Sequence, residues 1–217
     1  MSFFNSYKEL LDNKFPWFPS IVFTKHFDER FKNIETIQHL AEITKQQIVR
    51  SQTLIYDDEE YYVARDISSN MIYICFKHFM MLDIDGEDNC KQAIQKLTSF
   101  CDINRDYLFY VYKSRNGVHV FCVSHKKDYK NINDIQFMLQ HNADFFYTLY
   151  VHVRGWCVRL NKKMDEFFNV TPSNGNTVSK FIQSVGCGQP NKELTELLKI
   201  YESYMEIYKN AAPSTCP

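Results

Sequence analysis

The chain has 217 residues, 25 Lys plus Arg against 26 Asp plus Glu, 45% hydrophobic and 16% aromatic residues, and only six Gly and six Pro. This balance predicts one folded domain with ample core material, and it excludes compositional disorder and a globally basic polyanion binder, so any nucleic-acid contact must come from a local basic face. No apolar run reaches the roughly 18 residues of a membrane span, and the start MSFFNSYKELLDNKF lacks a signal-peptide pattern, which predicts a soluble, unexported, intracellular protein with no membrane partner.

In chain order, IVFTKHF at 21–27 reads as a short strand. A helix follows over 34–49, where Ile34, Ile37, Leu40, Ala41, Ile43 and Ile48 fall near a 3.6-residue period. YYVAR (61–65) and MIYICF (71–76), parted by a polar turn at 66–70, read as a hairpin. HFMMLDID (78–85) is an apolar strand ending in carboxylates, and a helix over 89–101 follows with Cys90, Ala93, Ile94, Leu97 and Cys101 on one stripe. YLFYVYKS (107–114) and VHVFCVS (118–124) make a second hairpin around Arg115-Asn116-Gly117. A long helix over 133–150, a strand at 156–161, a turn-rich break at 171–176 and a C-terminal helix over 192–209 complete the chain.

The order strand, helix, strand, strand, helix, strand predicts an α+β fold with a split βαβ, RRM-like or ferredoxin-like core and helices packed on a mostly antiparallel sheet. The whole chain, 1–217, reads as a single domain. Residues 1–70 form an N-terminal α/β extension, 71–170 the core and 171–217 the C-terminal helix. Seven cysteines, at 75, 90, 101, 122, 157, 187 and 216, are scattered with no C-x-x-C. That pattern predicts reduced, mostly buried thiols rather than a disulfide frame or a zinc cluster.

Two short motifs carry chemistry. In Leu82-Asp83-Ile84-Asp85, residues two apart on a strand share a face with Cα atoms about 7 Å apart, so the carboxylates project together. Such a pair suits hard divalent cations that also hold phosphates. A polar strand end capping the next helix explains the same residues. In Ser114-Arg115-Asn116-Gly117-Val118-His119, hairpin chemistry accounts for Asn116 and Gly117 but not for His119. A histidine on a sheet face is often a satisfied core residue, yet one βαβ crossover brings this one to a strand neighbouring the carboxylates.

Together these motifs resemble the first two catalytic motifs of the archaeo-eukaryotic primase superfamily, the primase-polymerases, most closely their viral and mobile-element members. The resemblance spans about 76–163. It implies a DNA primase or primase-polymerase, a nucleotidyltransferase making primers on single-stranded DNA from nucleoside triphosphates in DNA replication, in the nucleus or in the cytoplasm of an infected cell. It further implies Mg²⁺ or Mn²⁺ held by Asp83, Asp85 and a third carboxylate, for which Asp144 is the best candidate and Asp165 and His152 are substitutes. Ser114, Gly117 and His119 would contact the incoming triphosphate, with Arg159 and Lys163 as basic partners, and a replicative helicase is a further partner it allows. The implied reaction is attack of a 3′-hydroxyl on an α-phosphate with loss of pyrophosphate, assisted by two metals about 4 Å apart.

Basic residues of the second half, including Lys113, Lys126, Lys127 and Lys130, interleave with Tyr107, Tyr110 and Tyr112 and suit a template strand; Arg115, Arg154 and Trp156 are the candidate template contacts. Ordinary packing of aromatic strands explains the same pattern. Two other functions fit the acids: a catalytically degenerate RRM-like nucleic-acid-binding module and a metal-dependent nuclease. The chain has no G-x-x-x-x-G-K-[ST] loop, zinc spacing or G-x-S-x-G elbow.

Overall fold

Helical and alternating periodicities resolve into five helices and eight strands among the described residues of a computed structural model, which are 32–50, 52–67, 72–114, 116–160 and 180–210. In chain order these are α1 (Ile34–Arg50), β1 (Gln52–Asp57), β2 (Tyr61–Asp66), β3 (Ile72–Phe76), β4 (Met81–Asp85), α2 (Glu87–Ile103), β5 (Leu108–Lys113), β6 (Gly117–Cys122), α3 (Ile132–Gln140), α4 (Phe145–Arg154), β7 (Trp156–Arg159), β8 (Lys180–Gly186) and α5 (Lys192–Asn210). The fold is α+β, and the strands form two four-stranded sheets. The first has the order β1-β2-β3-β7 and the second β4-β6-β5-β8, with every neighbouring pair antiparallel.

Local chemistry sets most boundaries. Asn33 caps α1 by accepting from the Thr36 N–H at 3.0 Å, Asn131 caps α3 through Asn133, and Asn191 caps α5 through Glu193 at 2.9 Å. Gly86 precedes α2 at φ 88°, and Glu87 and Asp88 place negative charge in its first turn. The buried stripe Cys90, Ala93, Leu97 and Cys101 recurs at helical spacing, and α2 packs through it on β4, β6 and β8.

On β4, Leu82 and Ile84 are fully buried while Asp83 is half-buried and Asp85 exposed, so alternation separates an apolar face from an acidic one. The core continues across both sheets through aromatic contacts. Phe76 of β3 meets Phe79 edge-on at 5.4 Å, Phe79 stacks on Phe121 of β6 at 5.2 Å, and Phe121 meets Tyr201 of α5 at 4.7 Å. Leu194, Leu197, Leu198, Tyr201 and Met205 form the buried stripe of α5. Leu54, Ile55 and Tyr56 on β1, and Phe181 and Ile182 on β8, are exposed.

Three expectations are corrected and one strand is added. Two sheets form instead of the one expected: Trp156–Arg159 pairs with β3, and β8 lies beside β5. The helix expected over 133–150 is two helices, because His141 ends α3, Asn142 adopts φ 60° and Asp144 caps α4. Strand β1, unexpected from its sequence, pairs with β2. Cys75 and Cys157, directly opposite on β3 and β7, are joined by a disulfide, whereas Cys90, Cys101, Cys122 and Cys187 are free and the first three buried. The strand expected at 21–27 and the break at 171–176 lie outside the described residues.

Candidate functional site

Strands β4 and β6 bring the two motifs into register: Asp83 faces His119 and Asp85 faces Gly117. The Asp83 carbonyl accepts from the Asp144 N–H at 2.8 Å instead of bonding to β6, which makes Asp83–His119 a non-hydrogen-bonded pair, the type in which side chains approach most closely. The Asp83 Oδ1 to His119 Nε2 separation is 3.5 Å, and the side chains are 31% and 19% exposed. That distance is long for a hydrogen bond, so the two are electrostatic neighbours.

The other ring nitrogen, Nδ1, lies 3.0 Å from the Tyr201 hydroxyl of α5. Burial pushes the His119 imidazole down to about 4, which leaves it neutral at pH 7. Tyr112, opposite His119 on β5, donates to Glu202 Oε1 at 2.6 Å. Its hydroxyl titrates far above the normal tyrosine range because burial and that carboxylate both favour the protonated form.

The hairpin turn is tied to the end of β4, since the Gly86 N–H donates to the Asn116 carbonyl at 3.0 Å. Ser114 Oγ accepts from the Gly117 N–H at 3.2 Å, and the Ser114 N–H donates to the Gly117 carbonyl at 3.0 Å. A Cβ at residue 117 would stand 1.8 Å from the Ile84 carbonyl oxygen. The close approach of β6 to β4 therefore requires glycine there, quite apart from any phosphate.

Asp144 is beside Asp83 through its backbone, but its carboxylate accepts from the Tyr147 N–H at 2.7 Å as the cap of α4. No group of three or more His, Cys, Asp or Glu side chains among the described residues is arranged to hold a metal ion. His152 is elsewhere: its Nδ1 lies 3.2 Å from the Tyr129 carbonyl, and it lines an open cavity of about 400 Å³ with Gln38, Glu42, Lys45 and Lys130.

The basic candidates divide. Arg159 pairs with Tyr73 on the first sheet, on the face that alternates with Val158 and not on the sheet that carries Asp83. Arg154 lies over the Tyr73 and Tyr150 rings at 4.3 and 4.8 Å, a structural cation–π sandwich. Trp156 corrects an expectation: it is 0% exposed, with Nε1 3.4 Å from the Met138 sulfur, and has no face for a base. Lys126 pairs with Glu60 and Glu193, and Lys127 with Asp134 at 3.3 Å. Arg115, Lys163 and Asp165 lie outside the described residues.

Two tyrosines at the site escaped the sequence reading. Tyr201 holds the imidazole, and Tyr147, in the first turn of α4, has a buried hydroxyl with no protein hydrogen-bond partner. Leaving such a group unpaired costs roughly 1–3 kcal/mol. Burial holds this phenol well above its usual range, the Asp83 charge adds to the rise and Arg154 opposes it. Nothing in the sequence marks these two among 14 tyrosines, because each sits in an apolar helical stripe. No protein-family model, curated protein or solved structure matches the chain.

Proposed function

We propose that the chain is a primase-polymerase-type nucleotidyltransferase acting on single-stranded DNA with nucleoside triphosphates. One observation carries this reading: the β4–β6 register sets the half-buried Asp83 carboxylate against a neutral His119, with Asp85 exposed at the strand end. The order β4-β6-β5, with α2 joining β4 to β5, is compatible with the split βαβ core expected of such an enzyme.

The donor set suits a metal ion that arrives with its substrate. Mg²⁺ is commonly held by one or two carboxylates plus substrate phosphates rather than by a closed protein cage, and Asp83 and Asp85 on one strand face provide those carboxylates. They would hold Mg²⁺ or Mn²⁺, and the ion would neutralise charge developing on the reacting phosphate oxygens. In the tautomer whose Nδ1 accepts from the Tyr201 hydroxyl, the His119 Nε2–H is directed toward the Asp83 side, where it can donate to a phosphate oxygen. The hairpin holds this imidazole on the strand paired with the one that carries both carboxylates.

The test is primer synthesis on single-stranded DNA with Mg²⁺ or Mn²⁺. The double variant Asp83→Ala plus Asp85→Ala is expected to lose about 1,000-fold or more of activity while keeping its melting transition. Full activity in that variant rejects the reading. The capping role of the Asp144 carboxylate favours a second reading, a degenerate nucleic-acid-binding module, which would bind single-stranded DNA without extending it. Labelled DNA left uncut in the absence of nucleotides separates both from a nuclease.

A further inference from the structure

We propose that the Tyr147 hydroxyl is a nucleotide-binding donor of the Asp83–His119 site, an inference that rests on the nucleotidyl-transfer reading. Helix α4 starts directly on β4: the Asp144 N–H donates to the Asp83 carbonyl at 2.8 Å, and the Asp144 carboxylate accepts from the Tyr147 N–H at 2.7 Å. Two hydrogen bonds thus link Asp83 to the first turn that carries this phenol. The hydroxyl is buried and has no protein partner. Asp83 and Tyr201 are both close enough to act on it electrostatically, and Tyr201 is the residue that holds His119.

Two other buried groups without a hydrogen-bond partner are compensated in place. Arg154 Nε belongs to a guanidinium stacked on Tyr73, and the Glu60 Oε2 belongs to a carboxylate whose Oε1 accepts from Lys126 at 2.8 Å. Tyr147 differs from them in being carried by the helical turn that is hydrogen-bonded to Asp83. A phenol hydroxyl can donate one hydrogen bond, and an anionic phosphate oxygen is the acceptor that such a donor binds best. A nucleotide on Asp83 and His119 would supply that oxygen.

Tyr147→Phe removes one oxygen and retains the ring. The full chain and the variant would be compared with poly(dT) as template, ATP or dATP as nucleotide and Mn²⁺ as metal, alongside melting of the unliganded proteins. The expected result is a KM for nucleotide raised about 10-fold, kcat within about threefold, and a melting temperature unchanged or higher, since a buried unpaired hydroxyl has been removed. A KM within about twofold of the unaltered chain overturns the inference, and a lowered melting temperature with unchanged KM overturns it by assigning the hydroxyl to packing. Absence of both nucleotide-dependent synthesis and nucleotide-induced stabilisation in the unaltered chain removes the nucleotidyl-transfer reading itself, and this inference with it.

Discussion

The two sheets are built alike and filled differently. In the first, Ile74, Phe76, Trp156 and Val158 occupy the main core, and the reverse face buries Ala64, Tyr73, Cys75 and Cys157, the last two cross-linked. In the second, α2 covers an equally apolar face, but the face toward α5 carries Asp83, His119 and Tyr112 in one row across three strands. A half-buried carboxylate and imidazole are poor stabilisers, because removal from water offsets most of their attraction. The first sheet is therefore a scaffold, and the second gives up stability to hold polar groups in fixed register.

Three measurements would break or sharpen this division. Trp156→Ala in the first sheet is expected to lower unfolding free energy by about 3–5 kcal/mol in guanidinium titrations, while nucleotide KM of the folded fraction stays unchanged. A severalfold rise in KM would show that the scaffold reaches into the site. Removing the cross-link by Cys75→Ala plus Cys157→Ala should cost about 2–4 kcal/mol on the same titration, with the same indifference of KM. A variant of unaltered stability would deny the disulfide its role in the scaffold.

The smallest effect belongs to the second sheet and to pH. His119 titrates near 6.5 when unfolded but is pushed down to about 4 by burial, so between these values the unfolded chain holds the extra proton. Stability should be flat above about pH 6.5 and fall as pH drops toward 4, by about 2 kcal/mol after allowance for partial exposure and the nearby Asp83. His119→Gln should reduce that slope, leaving a residue from His141, which burial also pushes down. An unchanged slope would place the acid sensitivity elsewhere; the strands of the first sheet contain no histidine.

Much of the local structure was legible because it depends on short-range chemistry. The 3.6-residue stripes of α1, α2 and α5, the Asn-Gly hairpin and the alternation around Asp83 all appear in the sequence with boundaries close to those observed. Partnering was less legible. Nothing local in Trp-Cys-Val-Arg says that it pairs with β3, and without that pairing the opposition of Cys75 and Cys157 is invisible. The break between α3 and α4 had its own signals, Asn142 and Asp144, but they lie inside an apolar stretch whose periodicity outweighs them. For the site, the β-strand period placed Asp83, Asp85 and His119 correctly on their strands. Tyr147 and Tyr201 arrive from helices distant in sequence and carry no pattern of their own.

The backbone hydrogen bond from Asp144 to Asp83 also bears on how these molecules meet one another. β4 is an outermost strand, and an uncovered outer strand is a template on which a second chain can add. Here the start of α4 occupies the outward carbonyl of Asp83 itself, so strand addition is blocked at the candidate site. Among the described residues, the edge strands β1 and β8 carry exposed apolar residues. Any pairing at those edges would thus fall away from the strand that carries the candidate site.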